Sequence, residues 1–223
     1  MPEWLKFVID LFLHLDKHLT TALEVLGPWT YVLLVVIIFL ETGLVVTPFL
    51  PGDSLIFAAG TFAALGQMNV ALLFLLLASA AILGDTVNYW IGHRLGLRLF
   101  QTQNRWLKKV LKEEHLIRTQ EFYDKYGGFA VVLGRFVPIV RTFVPFVAGI
   151  GAMNYSRFIY YNVVGALAWV GLFLFLGYFF GNIPIIKANF HYAVIGIILV
   201  SVLPMVWEYW KHRRQQPRAS ATD

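Results

Sequence analysis

Two pairs of ionisable residues stand inside the most apolar parts of this 223-residue chain. Glu41 and Asp53 flank Thr47-Pro48-Phe49-Leu50-Pro51-Gly52, and Arg135 and Arg141 lie in Gly134-Arg135-Phe136-Val137-Pro138-Ile139-Val140-Arg141. At bilayer depth an ionised side chain costs about 2.5–3.5 kcal/mol on insertion scales, so such groups face one another or a hydrated cavity and mark a transport path. Guanidinium is permanently charged and presents a planar donor fork that fits phosphate. Arg135 and Arg141, six residues apart across a Pro-interrupted turn, are therefore candidates for holding an anionic headgroup. Burial favours the neutral form of a carboxyl and a neighbouring arginine the ionised form, so Glu41 and Asp53 are candidates for binding and coupling protons. A plainer reading has the arginines neutralise these acids as structural pairs, and Asp53 also stands where it could cap a helix. Asp85 and Asn88, one helical turn apart in Gly84-Asp85-Thr86-Val87-Asn88-Tyr89, are second-rank candidates for the cavity wall. They could equally satisfy a neighbouring helix.

Proline with an acid or base midway through an apolar stretch argues against an uninterrupted spanning helix. The composition agrees with a membrane setting: 58% of residues are hydrophobic and 14% charged, against about 25% charged in soluble domains. With no cysteine, disulfides and thiolate metal sites are excluded. The six histidines show no ligand spacing, so neither a metal nor another cofactor is expected. No phosphate-binding Gly-Lys loop and no nucleophile–base arrangement is present, so an enzyme is not expected. The net charge of +5 comes from local basic segments and gives no reason to expect nucleic acid.

Residues 3–26 carry apolar side chains at helical spacing and end at Gly27-Pro28, which predicts an amphipathic helix lying at the interface or packed along the bundle. Apolar segments follow at 29–47, 54–66, 70–92, 129–151, 156–181 and 190–210. A span takes about 20 residues; 54–66 is too short, and 129–151 is broken by Pro138, Arg141 and Pro145. Residues 93–126 form a basic connection, and Lys211-His212-Arg213-Arg214 is basic too, so both are expected in the cytoplasm. Three apolar segments between two cytoplasmic regions require one that enters and leaves on the same side. The broken 129–151 is predicted as that re-entrant hairpin.

The first half repeats the theme. Phe57-Ala58-Ala59-Gly60 answers Phe146-Val147-Ala148-Gly149, and each broken stretch precedes a long segment ending in paired glycines, Gly92 with Gly96 and Gly177 with Gly181. One hairpin plus one crossing is an odd number of crossings, so a second copy is expected upside down. Inverted repeats with broken helices are a secondary-transporter design. The expected fold is all-α and polytopic, with two re-entrant helical hairpins plus spanning helices in an inverted repeat and an N-terminal amphipathic helix. Its parts are 1–27 (amphipathic helix), 28–92 (first repeat), 93–126 (basic connection), 127–182 (second repeat), 190–210 (last span) and 211–223 (basic tail).

At these residues the chain resembles the DedA family of bacterial inner-membrane proteins, related to VTT-domain lipid scramblases. The matching stretches are Phe39-Leu40-Glu41-Thr42-Gly43-Leu44 through Leu55, Gly134-Arg135-Phe136-Val137-Pro138 through Thr142, Asn162-Val163-Val164-Gly165-Ala166-Leu167-Ala168-Trp169, and Gly177-Tyr178-Phe179-Phe180-Gly181. The resemblance covers nearly the whole chain and implies one membrane domain over 1–223, multi-pass in the bacterial inner membrane with a cytoplasmic C-terminus. It implies translocation of undecaprenyl phosphate or a related anionic lipid, with membrane lipids and protons as partners and a homo-oligomer compatible with it. The family's functional residues carry over to Glu41, Asp53, Arg135 and Arg141. A proton-coupled cation or drug antiporter is the rival expectation. Trp169 reads as a lipid contact or interfacial anchor.

Overall fold

A computed structural model describes residues 15–44, 52–101, 113–181 and 183. These residues are mostly helical, with no strand among them. In chain order the α-helices are α1 (Leu15–Leu26), α2 (Trp29–Gly43), α3 (Gly52–Ala64), α4 (Val70–Gln101), α5 (Glu113–Tyr126), α6 (Ala130–Gly134), α7 (Pro138–Val147) and α8 (Tyr155–Gly181). A 3-10 turn, Gly127–Phe129, leads into α6, and a π turn, Ala148–Ala152, closes α7.

Among the described residues, two helices carry enough length and apolarity to cross a bilayer: Val70–Arg94 within α4 and Tyr155–Gly181, of 25 and 27 residues. Their outward residues are apolar as well; Leu75, Leu83 and Phe179 are more than half exposed. A water-facing surface would not carry such a band. α3 is the opposite case. At 13 residues it is too short to span, yet Gly52 and every residue from Ser54 to Ala63 are buried. A helix apolar on all sides belongs in the middle of the body, and α3 sits there, with Leu55, Ile56, Ala59 and Phe62 in one core with Leu34, Ile38, Leu73, Leu77 and Leu174.

Glycines set how closely these helices approach. A Cβ on Gly60 would fall 2.1 Å from the Leu174 carbonyl oxygen of α8, and one on Gly177 of α8 would fall 2.0 Å from the Phe57 oxygen of α3. Thr61 Oγ1 donates to the Gly177 carbonyl across the same seam at 3.1 Å. The second seam has the same grammar: a Cβ on Gly92 of α4 would meet the Phe146 oxygen of α7 at 2.1 Å, and one on Gly149 would meet the Tyr89 oxygen of α4 at 2.0 Å. The two four-residue stretches matched in the sequence therefore make matched backbone contacts, each on the long helix of the other half.

Of the three residues expected to break 129–151, only Pro138 marks a break, which falls at residues 135–137 between α6 and α7, whereas Arg141 and Pro145 lie within α7. Val137 is extended, as a residue before proline prefers, and Pro138 opens α7 where its missing N–H costs nothing. α4 continues through 93–101, into the stretch expected as connection, and α5 forms its far part. α1 rests on the body through Leu19, which is buried, while Val25 is three-quarters exposed. It is a packed helix with a free apolar edge, so it shares features of both alternatives. The stretches 1–14, 45–51 and 184–223 lie outside the described residues, and with them the Thr47–Pro51 turn, the 190–210 span, the basic tail and the parity argument that uses them.

Candidate functional site

Six elements deliver polar side chains to one point in this apolar body. Glu41 comes from the last turn of α2, Asp53 from the first turn of α3, and Asp85 and Asn88 from the middle of α4. Arg135 lies in the α6–α7 turn, Arg141 one turn into α7, and Asn162 and Trp169 along one face of α8. Local sequence sets each approach: Glu41 lies just before a helix end, Asp53 just after a helix start, and the break before Pro138 places Arg135 in a turn and Arg141 in the helix that follows.

Two groups of contacts result. Arg141 donates through Nη2 to Glu41 and through Nη1 to Asp53, the latter at 3.0 Å. Asp53 Oδ1 also accepts from the Trp169 indole N–H at 2.9 Å. Arg135 Nη2 donates to Asp85 at 2.5 Å and to Asn162 Oδ1 at 2.6 Å. The Trp169 ring ties the groups together, with both guanidinium carbons 5.9 Å from its centroid, within cation–π reach. Glu41, Thr42, Asp85, Arg135, Arg141, Thr142 and Trp169 enclose a cavity of about 10 Å³, room for one water molecule.

The four leading sequence candidates thus share one site, but their pairing differs from the simple reading. Arg141 pairs with both Glu41 and Asp53, whereas Arg135 pairs with Asp85. Asp85, ranked second in the sequence, is in direct contact with a site arginine. Asn88 serves the backbone instead. Its amide donates to the Thr142 carbonyl at 2.9 Å and the Thr42 carbonyl at 3.3 Å, joining α2 and α7 at two residues that line the cavity. Asp53 spends its carboxylate on Arg141 and Trp169, and its place in the first turn also suits the helix dipole. Glu41 Oε2 lies against Gly52, where a Cβ would come within 1.7 Å of it.

Trp169 corrects the sequence expectation. It is 2% exposed and faces the charges, not lipid. Asn162 was missed as a site residue. A signal for both exists: Asn162 and Trp169 are seven residues apart, two turns along one face of an apolar helix, with Gly165 between them. A Cβ on Gly165 would lie 3.2 Å from Arg135 Cδ and Nε, so glycine there leaves the lane in which the arginine lies.

A largely apolar, all-helical body with two bilayer-length helices and a buried cluster of three carboxylates and two guanidiniums defines an integral membrane protein with a charged intramembrane site. The VTT domain family matches residues 50–179, and the chain belongs to this family, the one that contains DedA. It is 50% identical to Protein DedA of Escherichia coli (strain K12), with 96% of this chain and 97% of that protein covered. It is 36% identical to Inner membrane protein YqjA of Escherichia coli (strain K12), over 79% of each chain. An uncharacterized membrane protein of Mycobacterium leprae (strain TN) is 37% identical, over 84% of this chain and 83% of the relative. No solved structure matches.

Proposed function

We propose that this protein moves undecaprenyl phosphate or a related anionic lipid between the leaflets of the bacterial inner membrane, with protons bound at Glu41 and Asp53. The observation that carries the reading is the meeting of Arg141 with Glu41 and Asp53: charges from two separate proline-broken segments close on one point in an apolar body. A membrane protein that only needed to fold would be no less stable with well-packed apolar residues there, since a buried ion pair rarely repays its desolvation. A phosphate headgroup offers Arg141 the same oxygen geometry as the carboxylates it now holds. The polyprenyl tail stays in lipid along the exposed apolar faces of α4 and α8.

In this reading the two broken segments are re-entrant hairpins of an inverted repeat, with the C-terminus in the cytoplasm. The crossed packing of Phe57–Gly60 on α8 and of Phe146–Gly149 on α4 supports this, because it relates the halves by exchange of equivalent parts. With room for only one water, the site is closed. Headgroup entry requires α7 to part from the ends of α2 and α3, which frees Arg141 and leaves Glu41 and Asp53 to take up protons.

The test is leaflet exchange of labelled undecaprenyl phosphate in proteoliposomes, with and without a pH gradient. Exchange well above protein-free vesicles, lost in Arg141→Ala and insensitive to the gradient in Glu41→Gln, is the expected result. Exchange no faster than in empty vesicles rejects lipid transport. Since acids outnumber arginines three to two at the site, gradient-driven uptake of a cationic solute without lipid exchange would instead favour a proton-coupled antiporter.

A further inference from the structure

The two arginines differ in what holds them. Arg135 is 5% exposed and is gripped from two helices, by Asp85 of α4 and Asn162 of α8. The grip is itself fixed. Asn162 donates its amide nitrogen to the Ile82 carbonyl at 3.1 Å, which commits its oxygen to the guanidinium. Gly165 leaves the arginine stem lying against α8. One guanidinium against one carboxylate leaves this group neutral. Arg141 is more open, at 14% side-chain exposure, and so is Asp53, at 18%. It is shared between two carboxylates from two other elements, α2 and α3, so its group holds one acid in excess. Arg141 can therefore let go of one acid and keep the other. Arg135 cannot let go of Asp85 without stranding a charge that guanidinium does not shed.

Resting on the transport reading above, we infer that Arg135 is a fixed anchor, with Asp85 and Asn162 as its positioning residues, and that Arg141 is the exchanging cation, for which Glu41 and Asp53 compete with the lipid phosphate. The competition has a consequence of definite sign. An internal competitor lowers apparent affinity by occupying the binding-competent state, so removing Glu41 tightens phosphate binding while Asp53 still steadies Arg141. Removing Asp85 withdraws a negative charge from the same small site, but what it loses is the anchor.

The experiment compares Glu41→Gln and Asp85→Asn in detergent-solubilised full-length protein, reading the melting temperature alone and the affinity for a short polyprenyl monophosphate, farnesyl phosphate. The expected result for Glu41→Gln is a melting temperature within about 2 °C of the parent and affinity raised about threefold or more. For Asp85→Asn it is a fall of about 6 °C or more without tighter binding. The exchanged pair Asp85→Arg with Arg135→Asp should recover at least half of that fall, which a loss caused by general crowding would not. Equal tightening by both substitutions, or an Asp85→Asn protein as stable as the parent, overturns the division of roles. If the parent protein does not bind farnesyl phosphate, the transport reading falls and takes the exchanging role of Arg141 with it. The melting temperatures then still decide whether Arg135 is anchored.

Discussion

At the scale of single residues, the site is held together because each of its charged side chains has a partner from a different element. Trp169 shows this most economically: its indole N–H reaches Asp53 and its ring lies beside both guanidiniums. Trp169→Phe keeps an aromatic face and removes only the donor. We expect it to cost about 1–2 kcal/mol, read from chemical denaturation in mixed micelles, and to slow leaflet exchange. An unchanged stability would mean that the Asp53 contact contributes nothing. Gly165→Ala presses a methyl group against Arg135 at 3.2 Å, and the expected loss is about 1–3 kcal/mol in the same measurement. The sequence makes the charged candidates visible, because Glu41, Asp53, Arg135 and Arg141 are anomalies in apolar runs. It does not show who pairs with whom. Arg135 finds Asp85, 50 positions away, only once α4 and the α6–α7 turn are packed together. Asn162 and Trp169 share one face of an apolar helix, a fainter signal than a charge, and their burial is what assigns them to the site.

At the scale of elements, the proline breaks are readable because they act locally. Pro138 dictates an extended Val137 and a fresh helix start wherever the chain goes next. Helix length is less readable. α4 runs past the polar residues that suggested its end, since nothing between 93 and 101 forbids a helix once the apolar part has started one. The glycine seams give a sharp test. Gly60→Leu and Gly149→Leu both place a side chain where a backbone carbonyl now lies about 2 Å from the Cβ position, on opposite seams. Each should abolish the monodisperse peak in size-exclusion chromatography, whereas Gly66→Ala, at a turn with open space around it, should preserve it despite some strain from its positive φ. A well-behaved Gly149→Leu protein would show that α7 does not pack on α4 as described.

At the scale of the whole molecule, the two halves meet at the charged cluster, which leaves a cavity of about 10 Å³. Glu41 and Asp53 belong to the first half, Arg141 to the second, and Asn88 fastens the backbones of Thr42 and Thr142, which line the same cavity. On the transport reading, headgroup entry must separate these halves. Because the chain has no cysteine of its own, Thr42→Cys with Thr142→Cys can be joined by a short cleavable thiol cross-linker without background. Cross-linking should stop exchange and reductive cleavage should restore it; exchange that persists while linked would rule out a parting of α2 from α7. Whether Arg141 is the cation that carries the headgroup is decided by leaflet exchange of labelled undecaprenyl phosphate in liposomes, parent protein beside Arg141→Lys. Lysine retains the charge but loses the two-pronged grip that spans Glu41 and Asp53. We expect rapid exchange by the parent and a fall of about tenfold or more in the variant, roughly the loss of one charge-assisted hydrogen bond. Equal exchange by the two proteins, or none above empty vesicles by either, would refute that role for Arg141.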